Sequence, residues 1–153
     1  WYRSRGLGDV YKRQIFSLEN KLNKEIVVTN KSLNERLKMS KKTEISYALR
    51  NFIENALKFS KTKINIEINQ QKKNTLIVID DDGSGFDESI ISSLGQPYVS
   101  SEKVRKNVQG MGLGIFISKN LLERCSAKVE FSNKKNAGAM ITIEWTNSQL
   151  ANL

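Results

Sequence analysis

Hydrophobic spacing changes period several times along the chain, and each change marks an element. "KEIVVTN" from Lys24 is a β-branched run that predicts a strand. Ser40 is placed to cap a long helix over "KKTEISYALRNFIENALKFS". "TKINIEIN" from Thr62 alternates Ile64, Ile66 and Ile68 with polar residues, which predicts a half-buried strand. "TLIVIDDDG" from Thr75 is a more continuously apolar strand that ends in acid and glycine. "DESIISSL" from Asp87 predicts a short helix with acidic residues in its first turn, where the helix dipole favours them. Gly95 to Gln109, "GQPYVSSEKVRKNVQ", has no strong period and reads as a long loop. Loops of that length are usually functional or disordered. Three alternating glycines, Gly110, Gly112 and Gly114, then open an apolar helix, and "AKVEFSN" and "AGAMITIEW" follow as strands. No repeat or low-complexity tract appears. The pattern predicts an α+β fold: a two-layer α/β sandwich with a mixed, mostly antiparallel sheet and helices on one face.

Composition narrows the functions open to such a fold. The 153 residues suffice for one domain with a core. A net charge of +9 is compatible with nucleic acid, an acidic partner or a polyphosphate ligand. Residues 1–14, "WYRSRGLGDVYKRQ", carry +3 of that charge and have no clear period. Their core resembles a translated adapter or cloning scar; the other reading is a natural basic linker. The domain is therefore expected over 15–148, with 149–153 as a tail. The single Cys125 excludes an intramolecular disulfide. No apolar run is long enough to span a membrane. With no histidine, the chain has no His metal site, no Ser-His-Asp triad and no His phosphoacceptor of its own.

Three places carry candidate chemistry. On the long helix, Asn51, Asn55 and Lys58 fall within about 60° of one another, opposite Leu49, Phe52, Ile53 and Ala56. Asparagine is a mediocre helix former, so two of them one turn apart need a reason. An amide oxygen suits Mg²⁺, and a lysine suits phosphate; the plainer reading is a solvated polar face. Asp81, Gly83 and Gly85 form D-x-G-x-G at a strand end. There a carboxylate can accept from an exocyclic amine; the plainer reading is an acidic β-turn. Gly110, Gly112 and Gly114 stand where a helix N-terminus offers free N–H groups to phosphate. Their spacing fits neither the Rossmann nor the Walker A pattern, and a flexible hinge is the rival.

In this order the three are more specific than any one alone. "RNFIENALKFS", "DDGSGF" and "GMGLGIF" resemble the N box and the two glycine boxes of the histidine-kinase-type ATPase domain of the GHKL superfamily. "NAGAMITIEW", with Gly138, is similar to its closing glycine box. The resemblance covers about Leu18 to Trp145 and implies a Bergerat-type fold. "LGQPYVSSEK" and "LLERCSAKVEFSN" resemble sensor kinases of the RegB/PrrB redox-responsive group.

The resemblance implies an ATP site between the long helix and a lid over Gly95 to Gln109. Asn55 would bind Mg²⁺, with Asn51 beside it and Lys58 reaching phosphate. Asp81 would recognise adenine, Gly83 and Gly85 would shape its turn, and Gly110, Gly112 and Gly114 would let backbone approach the phosphates. Glu54 is a candidate to polarise the attacking group. The family's dimerisation helices and phosphoacceptor His do not appear, so the chain is expected to be a C-terminal fragment. Its partners would be a His-bearing dimerisation domain, a response regulator and, in the full-length protein, a second subunit. Nucleic acid is not expected, and membrane only through upstream segments of an inner-membrane sensor whose cytoplasmic part this would be. Cys125 is expected to be a small buried side chain. Two alternatives are a free-standing GHKL serine kinase of the anti-sigma type and a non-kinase ATP-gated clamp. A clamp would place a catalytic Glu early in the N-box helix.

Overall fold

The computed structural model describes residues 23–32, 42–95 and 112–153. Strand β1 (Glu25–Asn30) leads to helix α1 (Thr43–Phe59), then to strands β2 (Lys63–Gln70) and β3 (Asn74–Asp81). The short helix α2 (Glu88–Ile91) follows, then helix α3 (Gly112–Arg124), strands β4 (Lys128–Asn133) and β5 (Ala139–Thr146), and helix α4 (Asn147–Ala151). One sheet has the order β1-β2-β3-β5-β4. β1 and β2 are parallel, as a strand–helix–strand crossover requires, and every other pair is antiparallel. The α+β sandwich with a mixed, mostly antiparallel sheet is borne out.

Register brings the apolar positions to one face. Ile66 pairs with Ile79, Ile79 with Ile141, and Ile141 with Phe131. Against that face α1 buries Ile45, Ala48, Phe52, Ile53, Ala56 and Leu57, a three-and-four spacing that is one stripe of the helix. α3 adds Ile115 and Leu122. Phe131 sits edge-on between Phe52 and Phe86, each 5.9 Å away between ring centres. Burial of such side chains contributes about 2 kcal/mol apiece.

Two boundaries differ from expectation. The N-cap of α1 is Lys42, in extended backbone with no side-chain cap, rather than Ser40. The chain after β5 is not a plain tail: Thr146 and Gln149 form a reciprocal capping box that starts α4, and Leu150 is buried. The Asn147 amide donates to the carbonyls of Gln71 and Lys72, tying α4 to the β2–β3 turn. Cys125 is buried, and its carbonyl accepts from Trp145 Nε1 at 3.0 Å. Burial raises its thiol pKa, and Glu44 adds to the effect, so it is a small core side chain rather than a thiolate.

Candidate functional site

The inner face of the sheet ends in a shallow, open cleft. Asn55, Ala56 and Phe59 of α1 form one wall, and Ile79 and Asp81 of β3 lie behind them. Gly85, Phe86, Ile115, Ala139 and Ile141 complete the lining. A mostly apolar slot with a single buried carboxylate is suited to a flat base that carries an amine.

Asp81 is 3% exposed because it occupies the core-facing register of β3, in line with Ile77 and Ile79. Its Oδ1 accepts from the N–H groups of Gly83 at 2.7 Å and Ala139 at 3.2 Å. Both bonds among the described residues go to Oδ1, so Oδ2 is the oxygen available to a ligand. Burial raises the carboxyl pKa, and the two backbone bonds and Lys134 only partly offset it. Gly83 turns the chain directly under α1: a Cβ there would overlap the Phe59 carbonyl oxygen. Asp82, the next carboxylate, faces the α1–β2 turn. Burial pushes its pKa up, but bonds from the Thr62 hydroxyl and the N–H groups of Thr62, Lys63 and Lys61 outweigh that and hold it well below the usual range.

The amide stripe on α1 is real. Asn55 Nδ2 donates to Asn51 Oδ1 at 2.8 Å, one turn away. That bond fixes both amides and turns the Asn55 oxygen, an atom suited to a hard cation, away from Asn51. Asn51 in turn meets α3: a Cβ on Gly114 would lie 2.9 Å from Asn51 Nδ2. Gly112 is the first residue of α3 and Gly114 lies in its first turn, so both are helical rather than part of a hinge before the helix. The first turn of α3 thus stands beside the Asn51–Asn55 pair. Gly110 and all of the expected lid after Gly95 lie outside the described residues.

The remaining candidates on α1 are Lys58 and Glu54. Lys58 Nζ sits 5.3 Å from the centre of the Phe59 ring. Glu54 accepts from Arg50 Nε at 2.7 Å in a solvent-exposed i,i+4 ion pair. Neither lines the cleft.

A family profile described as "Histidine kinase-, DNA gyrase B-, and HSP90-like ATPase" matches residues 40–149. The chain belongs to this ATPase family. Sensor histidine kinase RegB of Cereibacter sphaeroides is 32% identical over 127 residues, covering 72% of this chain and 28% of RegB. Sensor histidine kinase YvrG of Bacillus subtilis is 30% identical over 97 residues, covering 62% of this chain and 17% of YvrG. The chain thus spans less than a third of these relatives. The nucleotide-free catalytic domain of histidine kinase ThkA matches with a TM-score of 0.71 at 21% identity, over 92% of this chain and 91% of that one. Full-length ShkA in complex with AMPPNP matches with a TM-score of 0.65 at 19% identity, over 86% of this chain and 28% of that one. The expected membership and the likeness to RegB are borne out, and the named relatives are sensor histidine kinases. Membership in this ATPase family implies ATP as the ligand of the domain. Among the described residues no helix is long and apolar enough to cross a membrane.

Sequence reasoning missed part of this cleft and its supports. Asn133 clamps the backbone after the D-x-G-x-G turn: its Oδ1 accepts from Phe86 N at 2.7 Å and its Nδ2 donates to Phe86 O at 2.8 Å. The apolar lining from Phe59, Phe86, Ile115, Ala139 and Ile141 was also missed as a binding surface. Core and cleft lining look alike in a hydrophobic pattern, and only Phe86, directly after the glycine turn, carried a local signal.

Proposed function

We propose that this chain is the catalytic ATP-binding domain of a two-component sensor histidine kinase. It transfers the γ-phosphoryl group of ATP to a histidine on a dimerisation domain outside the chain. The observation that carries this reading is the buried Asp81 at the back of an apolar cleft whose wall holds the Asn51–Asn55 pair. Asp81 Oδ2 accepts from the adenine amine, while Phe59, Ile79 and Ile141 enclose the ring. Gly83 and Gly85 let the turn pass close to the base. Asn55 Oδ1 would hold Mg²⁺, which would supply positive charge against the phosphates. Gly110, Gly112 and Gly114 bring backbone N–H groups to the phosphates, and Lys58 swings from the Phe59 ring to add positive charge. Glu54, next to Asn55, polarises the attacking imidazole and does so while paired to Arg50. The imidazole nitrogen bonds to the γ-phosphorus, the bond to the bridging oxygen breaks, and ADP leaves. The chain contributes position and electrostatics rather than covalent chemistry.

A response regulator then takes the phosphoryl group, and the full-length protein is a homodimer. The domain works on the cytoplasmic side of an inner membrane reached only through upstream segments, without nucleic acid. The test supplies a separate His-bearing dimerisation domain of the same kinase together with labelled ATP. The chain has no histidine, so acid-labile, base-stable label must appear on the added domain and rise with its concentration. Acid-stable label on a serine-bearing partner, with none on the His domain, favours the anti-sigma type instead.

A further inference from the structure

Lys24 stands just ahead of β1, and its side chain reaches the carboxyl end of α1. Its Nζ donates to Leu57 O at 2.6 Å and to Ser60 O at 2.7 Å. These carbonyls lie at the helix end, which carries partial negative charge and lacks intrahelical donors. The next residue adds a backbone bond, Glu25 N to Thr62 O at 2.9 Å. From the opposite side Asp82 accepts from the N–H groups of Lys61 at 2.8 Å and Lys63 at 3.3 Å. The turn after α1 is thus gripped by an ammonium on its carbonyls and by a carboxylate on its amides. Phe59, inside this grip, lines the cleft, and its carbonyl meets Gly83.

The helix end is already capped without Lys24. Ser60 N donates to Ala56 O at 2.8 Å, and Ser60 Oγ donates to Leu57 O at 2.9 Å. Loss of the ammonium therefore leaves α1 formed but frees its end to shift against β1. We propose that Lys24 is a positioning residue of the nucleotide cleft. It holds the carboxyl end of α1, and with it Phe59 and Asn55, against the Asp81–Gly83 turn. This inference rests on the nucleotide-binding reading above. It adds that the residue ahead of β1 is bonded directly to the helix that would hold the metal.

The test is calorimetric titration of Mg²⁺-ATP into the full chain, with a thermal melt of every variant. Lys24→Met weakens binding about tenfold, the worth of one charge-assisted hydrogen bond. Lys24→Arg, which can donate to both carbonyls, stays within about threefold of the parent. Thr146→Ala breaks the α4 capping box at the opposite end of β3 and lowers the melting temperature with affinity unchanged. Parent affinity in a folded Lys24→Met chain overturns the proposal. So does weakening in Thr146→Ala equal to that in Lys24→Met, because stability alone would then explain it. If Lys24→Met does not fold, Lys24→Gln takes its place, and parent affinity there overturns the proposal equally. A parent chain that binds no ATP overturns the nucleotide reading itself, an outcome distinct from failure at Lys24.

Discussion

Gly138 and Asp81 touch backbone to backbone: a Cβ on Gly138 would overlap the Asp81 carbonyl oxygen. The contact lets Ala139 N reach Asp81 Oδ1, so the closing glycine of the chain shapes the carboxylate of the first glycine turn. Gly138 also has φ +110°, a region closed to most L side chains. Gly138→Ala is therefore expected to cost more than about 1 kcal/mol of stability and to weaken ATP binding together with it. Urea unfolding and an ATP titration check the pair. A variant with parent values in both would mean that the β4–β5 turn relaxes freely and does not set Asp81.

Asp81→Asn separates fold from function. The amide oxygen can still accept from Gly83 and Ala139, and the raised carboxyl pKa means that ionisation of Asp81 opposes folding. At neutral pH the variant is expected to melt no lower than the parent. It should nevertheless lose preference for ATP over GTP, because its new amide donors face the adenine amine. Parent-like discrimination between the two nucleotides would reduce Asp81 to a turn residue.

Local signals carried the elements, and long-range ones carried the parts that stayed hidden. Asp81 was legible because an apolar strand ran into acid and glycine, and Asn51 and Asn55 because polar amides on one helix face defy propensity. The Gly138–Asp81 and Asn133–Phe86 contacts were not, since each depends on which strands become neighbours in the sheet. α4 had a readable T-x-x-Q start at Thr146, but five residues are too few for a hydrophobic period to show. Ser40 was a chemically better cap than Lys42, yet the backbone turns helical only after Lys42.

Asn55→Ala removes the amide oxygen proposed for Mg²⁺ and also the bond to Asn51. Alanine is the better helix former by roughly 0.6 kcal/mol, which offsets the lost side-chain bond. The melting temperature is thus expected to stay near the parent's, while the Mg²⁺ enhancement of ATP affinity largely disappears. Equal enhancement by Mg²⁺ in both proteins, read by calorimetry, would remove Asn55 from the metal site.

Asp82 supplies a pH test with a definite sign. Its folded pKa is depressed below the unfolded value by the hydrogen bonds that it accepts from the α1–β2 turn. A depressed carboxyl stabilises the fold above the unfolded pKa, near 3.9, and that contribution is lost as pH falls toward the folded pKa. Asp81 runs the other way: its contribution is favourable below the unfolded pKa and is lost as pH rises through its raised folded pKa. Asp82→Asn puts an amide among N–H donors, so the variant should be less stable than the parent at pH 7. The gap should narrow steadily below about pH 4, where the unfolded parent takes up a proton at Asp82 while the folded one stays ionised. Asp81→Asn should show the mirror image, with any gain in stability present at pH 7 and fading at acid pH. Urea midpoints of the three proteins from pH 7 down to about pH 3 decide the matter. A gap for Asp82→Asn that stays constant over that range would show that the turn is held by shape rather than by the charge of Asp82.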